Sequence, residues 1–305
     1  MKTLIRPFQM NPTFTSWTQA TPKRTILIFL VTLGANILYA QGSYFRFGFG
    51  YGLPASSQLL GENYSSNSNT NLYSSKTKGI YGSLGTGLVF NTSYGHLYSK
   101  NIGLDLSLQY LAGKKYESNH TNTYIDYSGG TTTSINESSI SARGIVLSPT
   151  LLFSTSAGSV RPYAKIGLVI GSMKFVIEDE NNYSNQKLET KTEFTGGLSL
   201  GFRGGVGLDF AASKKASFFT EVMLTSLSYY PHESEVTKFL LNGIEQPDQH
   251  KKITYEKEVN TTSSSDNSKQ LRFAAPFGSV ALNVGIKFNM AQRADAKPQG
   301  GNEIK

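Results

Sequence analysis

Apolar and small or polar residues alternate in runs of about ten along most of the chain. Clear copies are Phe45-Arg46-Phe47-Gly48-Phe49-Gly50-Tyr51, Ile102-Gly103-Leu104-Asp105-Leu106-Ser107-Leu108-Gln109-Tyr110 and Leu282-Asn283-Val284-Gly285-Ile286-Lys287-Phe288. Successive side chains of a strand point to opposite faces, so each run has one greasy face and one wet or small face. The greasy face recurs in strand after strand. That pattern predicts a closed sheet with its apolar side in lipid and its polar side turned inward.

Eight strands are predicted, over 44–53, 78–91, 100–112, 142–154, 161–176, 193–210, 217–230 and 270–289. The connections alternate in length. Those at 92–99, 155–160 and 211–216 are short; those at 54–77, 113–141, 177–192 and 231–269 are long. An even strand count with short turns at one end is the plan of an outer-membrane barrel. The fold class predicted is all-β: an eight-stranded antiparallel up-and-down transmembrane β-barrel with long extracellular hairpin loops and both termini periplasmic. The long loops are rich in Ser, Asn and Thr, as in Tyr64 to Thr70 and Thr261 to Ser265. Turn signals at Ser128-Gly129-Gly130, Glu180-Asn181-Asn182 and Asn242-Gly243 predict hairpins standing above the membrane, with disordered tips.

Phasing each strand by its greasy face assigns Arg46, Asp105, Lys165, Arg203, Asp209, Glu221 and Lys287 to the interior. They lie amid Gly48, Gly50, Gly103, Ser107, Gly201, Gly205 and Asn283. Most of these charges fall near the short-turn ends. An eight-stranded barrel is only wide enough to be filled by side chains, and an isolated buried ion is costly. The expectation is a structural salt-bridge network that plugs the lumen; a gated narrow pore is the alternative. Pro149 predicts a local irregularity in the fourth strand, because proline cannot donate to a ladder. Phe273, Phe277 and Ser279 leave the later parity, which predicts a bulge in the last strand.

Composition agrees with this plan. Only 38% of the 305 residues are hydrophobic, too few for a helical membrane protein, and there is no cysteine to form a disulfide or thiolate site. Residues 1–40 read as a signal peptide: Lys23 and Arg24 precede an apolar run from Ile26 to Leu38, and Tyr39-Ala40 ends it. An uncleaved anchor is the alternative, but the run falls short of the ~20 residues that span a bilayer. Residues 41–290 form the predicted barrel and 291–305 a flexible periplasmic tail. Removing Lys2, Arg6, Lys23 and Arg24 from 29 basic residues leaves 25 against 21 acids, a charge of +4. So small and dispersed an excess is no nucleic-acid footprint. The single tryptophan, Trp17, leaves with the signal, so any interfacial aromatic belt must come from Tyr and Phe.

Several stretches resemble a known group. Ala40-Gln41 followed by Phe45 to Tyr51, the run Arg161-Pro162-Tyr163-Ala164-Lys165-Ile166-Gly167-Leu168-Val169-Ile170-Gly171, Phe219-Thr220-Glu221-Val222 and Asn283 to Phe288 carry the likeness. Over about 41–289 the chain resembles the small outer-membrane β-barrels related to the transmembrane domain of outer membrane protein A, a porin-like family, in the variety widespread in Bacteroidetes-type bacteria. The aromatic Phe288 at the end of the last strand resembles the signal read by the barrel-insertion machinery. The resemblance implies a bacterial outer-membrane location and no enzyme activity.

Candidate chemistry is sparse. Of His96, His120, His232 and His250, the first falls in a predicted turn and the rest in outer loops. His232-Glu233-Ser234-Glu235 has residue types of a rim-site hydrolase, but neighbours in a strand point apart and make no triad. Glu178-Asp179-Glu180-Asn181-Asn182 lacks calcium-loop spacing. Gly201-Phe202-Arg203-Gly204-Gly205-Val206-Gly207 opens no helix and is no dinucleotide fingerprint. No catalytic, cofactor or metal site is expected. The function expected is non-enzymatic: a cell-surface envelope protein with loops for adhesion or recognition. A narrow porin-like channel and a surface lipid-modifying enzyme are the alternatives. Expected partners are outer-membrane lipid and lipopolysaccharide, the insertion machinery, and an extracellular ligand at loops 113–141 and 231–269.

Overall fold

The computed structural model describes residues 42–69, 72–155, 158–183, 186–247, 251–259 and 268–290. The predicted signal, the tail 291–305, Thr261 to Ser265 and His250 lie outside them. The described part is all-β. Eight strands follow one another around a ring: β1 (Gly42–Pro54), β2 (Gly87–Leu97), β3 (Ile102–Gly113), β4 (Thr131–Ser154), β5 (Val160–Tyr183), β6 (Ser199–Ala211), β7 (Ala216–Tyr229) and β8 (Ser279–Asn289). Each pairs antiparallel with the next, and β8 pairs back onto β1, from Tyr44 opposite Asn289 to Pro54 opposite Ser279. The ring therefore leaves no open edge of its own.

Alternation around the ring is consistent. On β1, Arg46, Gly48 and Gly50 face inward while Phe45, Phe47, Phe49, Tyr51 and Leu53 are exposed outside. The outward positions remain apolar on the other strands: Phe90, Leu106, Leu151, Leu168, Phe202, Leu224 and Val284 are all at least 40% exposed. From Phe45 to Leu53 the strand rises about 27 Å at ~3.4 Å per residue, or about 20 Å after a tilt of roughly 40°.

Several boundaries differ from the sequence pattern; of the sixth strand expected at 193–210, residues 193–195 belong to a separate outer strand, Gln186–Thr195, and β6 begins at Ser199. The second strand was expected at 78–91 with a turn over 92–99; instead β2 runs to Leu97 and the turn falls at 98–101. Residues 78–82 belong to a separate outer strand, Tyr73–Gly82. Ser93 and Gly95 are the small inward residues of β2, and their polar company disguised the strand as a turn. Glu180-Asn181-Asn182 lies within β5 and does not close the hairpin; the break comes after Tyr183. The last strand starts only at Ser279, which faces inward in register, so the parity change at Phe273 and Phe277 marks a folded-in segment and no bulge within β8. At Pro149 the β4–β5 ladder skips Ser148 and Pro149 while the register on either side is kept.

Strands β4 and β5 are 24 residues each, about twice the others. Their excess length carries an outer sheet, continuous with the ring's own hydrogen bonding, beyond the ring. Tyr116–Ile125 and Gln186–Thr195 flank them, Glu233–Leu241 adds to the latter, and the hairpin of Gln58–Ser68 with Tyr73–Gly82 lies parallel beside the former. Asn242 and Gly243, both with positive φ, turn the chain from Leu241 to Ile244, as Asn-Gly does in a tight hairpin.

Candidate functional site

All seven charged residues assigned to the interior by parity are buried there. Near the short-turn end six of them form one network. Arg46 reaches both Asp209 oxygens at 3.2 Å, and its Nη1 lies 3.8 Å from Glu221. Lys287 donates to Asp209 at 2.8 Å. Lys165 lies between Glu221, at 3.2 Å, and Asp105, at 3.4 Å. Three cations thus meet three carboxylates. Tyr44 and Ser93 donate to Asp105 at 2.8 and 3.1 Å, and Tyr163 donates to Glu221 at 3.1 Å. The Arg46 guanidinium also lies 4.3 Å from the Tyr163 ring centre and 5.2 Å from that of Phe219, at cation–π distance. Gly95 admits the Tyr44 ring, which a Cβ at that position would strike. Parity alone could have added Tyr44, Tyr163, Phe219 and Arg161 to this set, since each sits two or four residues from a named inward charge.

Arg203 stands apart from the ion pairs. It donates to Thr225 at 3.2 Å and Ser107 at 3.4 Å, and also to Gln109. Beside it is a cavity of about 20 Å³ among Ser107, Gln109, Thr150 and Asn283. That is room for about one water.

Farther from the short turns the interior changes character. Val89, Leu111, Val146, Val169, Met173, Phe175 and Leu227 face inward and form an apolar layer with Leu84 and Phe277. Two segments outside the ring strands fold in to complete it, and in the second Ala275 and Pro276 pair with Tyr229 and Ser228 of β7. Leu84 donates its backbone N–H to Pro276 at 2.8 Å, and Phe277 donates to Leu227 at 3.0 Å. Above them Phe175 stacks on Phe194 at 4.3 Å, Phe273 stands edge-on to both, and Tyr255 covers Phe194. The aromatic hydroxyls find partners: Tyr229 donates to Gly196, and Tyr255 meets Ser234.

The histidines do not converge. His96 is buried in β2 beside Ser43, His120 lies on an outer strand, and His232 is exposed at the rim. Arg272 approaches His232 Nε2 at 3.0 Å. Glu233 turns to Lys252 at 2.7 Å, which holds its carboxyl below the usual range, while Ser234 points to the opposite face toward Tyr255. The three side chains share no reacting point. No group of three or more His, Asp or Glu side chains converges as a metal site among the described residues.

The outer sheet carries a ladder of ion pairs on its outward face. Lys191 bridges Glu178 and Glu193, Lys187 bridges Glu180 and Glu189, and Lys238 meets Glu189 at 2.6 Å. Hydrogen bonds from these lysines hold the Glu180 and Glu189 carboxyls below their ordinary range.

No protein-family model matches the chain, and no curated protein matches its sequence. Among solved structures, outer membrane protein OprG from Pseudomonas aeruginosa is similar at a TM-score of 0.39 and 12% identity, over 83% of this chain and 97% of that one.

Proposed function

We propose that this chain is a bacterial outer-membrane β-barrel with extracellular hairpins and periplasmic termini. Its role is non-enzymatic: it reinforces the envelope and presents loops for adhesion or recognition. One observation carries the reading. Within the apolar band every ring strand exposes apolar side chains outward while the charges lie inside, the reverse of a water-soluble protein. The apolar band, about 20 Å tall, is close to the ~25 Å band of such barrels. A soluble β-sandwich would bury that face against a second sheet.

The filled interior supports a structural role over conduction. Ion pairs close one end, aromatic rings the other, and the polar space between holds about one water. The lipid-modifying alternative draws no support from His232, whose ring faces Arg272. The outer sheet and its loops, including 113–141 and 231–269, offer the largest surface to a partner.

The test is membrane fractionation with heat-modifiable migration in detergent gels, followed by planar-bilayer recording. Outer-membrane recovery, a mobility shift on boiling and no conductance are expected. A soluble periplasmic protein with no shift would sink the membrane reading. Steady conductance altered by Arg203→Ala or Glu221→Ala would replace the structural role with the channel.

A further inference from the structure

Just above the apolar band, on the outside of the ring, Arg143 of β4 stands directly opposite Lys174 of β5. Their neighbours Ala142, Met173 and Phe175 are buried in the interior, so both cations point outward. Like charges directly opposed across two strands are unfavourable unless something compensates them. Lys174 has Glu193, and Lys191 spans Glu178 and Glu193, so both nearby carboxylates are already engaged. The Arg143 side chain has no ion pair or hydrogen bond among the described residues. A cavity of about 320 Å³ opens at this point, lined by Arg143, Lys174 and Lys191 with Glu178, Glu193 and the Tyr110 ring.

The next outward positions toward the band are apolar except Ser172, which lies opposite Ile145. Ile145 and Leu147 follow Arg143 on β4, with Tyr110 opposite Ile145 and Ile170 opposite Leu147. Three cations against two carboxylates, with Arg143 the unpaired excess, at the top of a greasy surface suit a molecule with an anionic head and hydrocarbon tails. We propose that this cavity binds the phosphate of a membrane lipid, with Arg143 and Lys174 clamping the phosphate and the acyl chains lying over Tyr110, Ile145 and Leu147. Arg143 supplies the planar fork that phosphate oxygens accept from; Lys174 supplies a second charge. The proposal rests on the membrane reading above and gives that membrane a specific contact.

The experiment uses the full chain extracted from outer membranes in dodecyl maltoside and stripped of lipid. Recovery in that fraction with a heat-shifted band tests the membrane reading separately. Native mass spectrometry then follows titration with dimyristoyl phosphatidic acid, dimyristoyl phosphatidylcholine or inorganic phosphate. One phosphatidic acid should be retained per chain, in preference to phosphatidylcholine. Arg143→Gln should weaken it about fivefold, and Arg143→Gln with Lys174→Gln about 25-fold, as expected for roughly fivefold per basic charge. Arg143→Lys should restore part of the loss, and Lys214→Gln with Lys215→Gln, in the turn at the opposite end, should change nothing. Undiminished binding by the double variant in folded, heat-shifted protein would overturn the site. Displacement of the lipid by an equal concentration of inorganic phosphate would overturn the lipid as occupant.

Discussion

Near the short turns the interior is held by Arg46, Asp105, Lys165, Asp209, Glu221 and Lys287; toward the hairpins it is held by Phe175, Phe194, Phe277, Met173 and Leu227. Both layers fill the same ring, yet their energetics differ. The charged layer is directional: each carboxylate has defined donors, and loss of one partner strands another ion in a dry site. The apolar layer is additive and shape-dependent, so a lost ring leaves a cavity of its own size. One layer is stiff because its members are mutually required. The other is stiff because it is full.

The sharpest way to break this contrast is Arg46→Ala. It leaves three buried carboxylates facing only Lys165 and Lys287 and should cost about 3–5 kcal/mol. Urea unfolding of detergent-refolded protein, followed by far-ultraviolet circular dichroism, would read it. Phe175→Ala should cost about 3 kcal/mol through its cavity. The pair sharpens the comparison: Arg46→Ala and Asp209→Asn should couple by about 1–3 kcal/mol, while Arg46→Ala and Phe175→Ala should add. Strong coupling across the layers would refute their independence.

Gly95→Ala comes next, at about 2 kcal/mol, because the Tyr44 ring must shift from its place over Gly95 and its bond to Asp105. Asn242→Ala should cost about 1 kcal/mol, since alanine tolerates positive φ poorly. Its effect should stay local, seen as faster hydrogen exchange over 233–245 with the ring unchanged. The smallest effect concerns pH in the outer sheet. Glu189 is held low by Lys238 and Lys187. Its contribution is therefore present above the ordinary glutamate range and is lost as pH falls through the lowered folded value. Exchange of the Gln186–Thr195 amides should quicken below that point while the ring amides remain protected; simultaneous loss in both would argue against a separately stabilised outer sheet.

The ring was legible because its alternation is a property of adjacent residues. Arg46 between Phe45 and Phe47 reads inward without any knowledge of its partners. The charged layer could be assigned by the same parity, but its pairings could not, because Arg46 meets Asp209 across 163 positions of sequence. The apolar layer was invisible for a physical reason. Around Ile145-Val146-Leu147 and Leu168-Val169-Ile170 both faces are apolar, so the alternation vanishes where the interior turns greasy. Phe277 and Leu84 were harder still, since they enter the interior from segments outside the ring strands. The start of β2 was misplaced because Tyr73–Gly82 and Gly87–Leu97 are separated only by Ser83 to Thr86. Four residues, one of them the buried Leu84, do not look like a loop.

The seam between β1 and β8 has a kinetic consequence. Arg46 lies directly opposite Lys287 across it, two positive charges that repel when the first and last strands meet. Asp209, on β6, reconciles them by accepting from both. Joining β1 to β8 is therefore least costly with β6 already in place to supply Asp209. A nascent chain cannot finish the ring from its first strands, because the partner of β1 follows every other ring strand in the sequence. Such a chain has to be kept from aggregating while it waits, and its last step joins the ends with the longest loop to close.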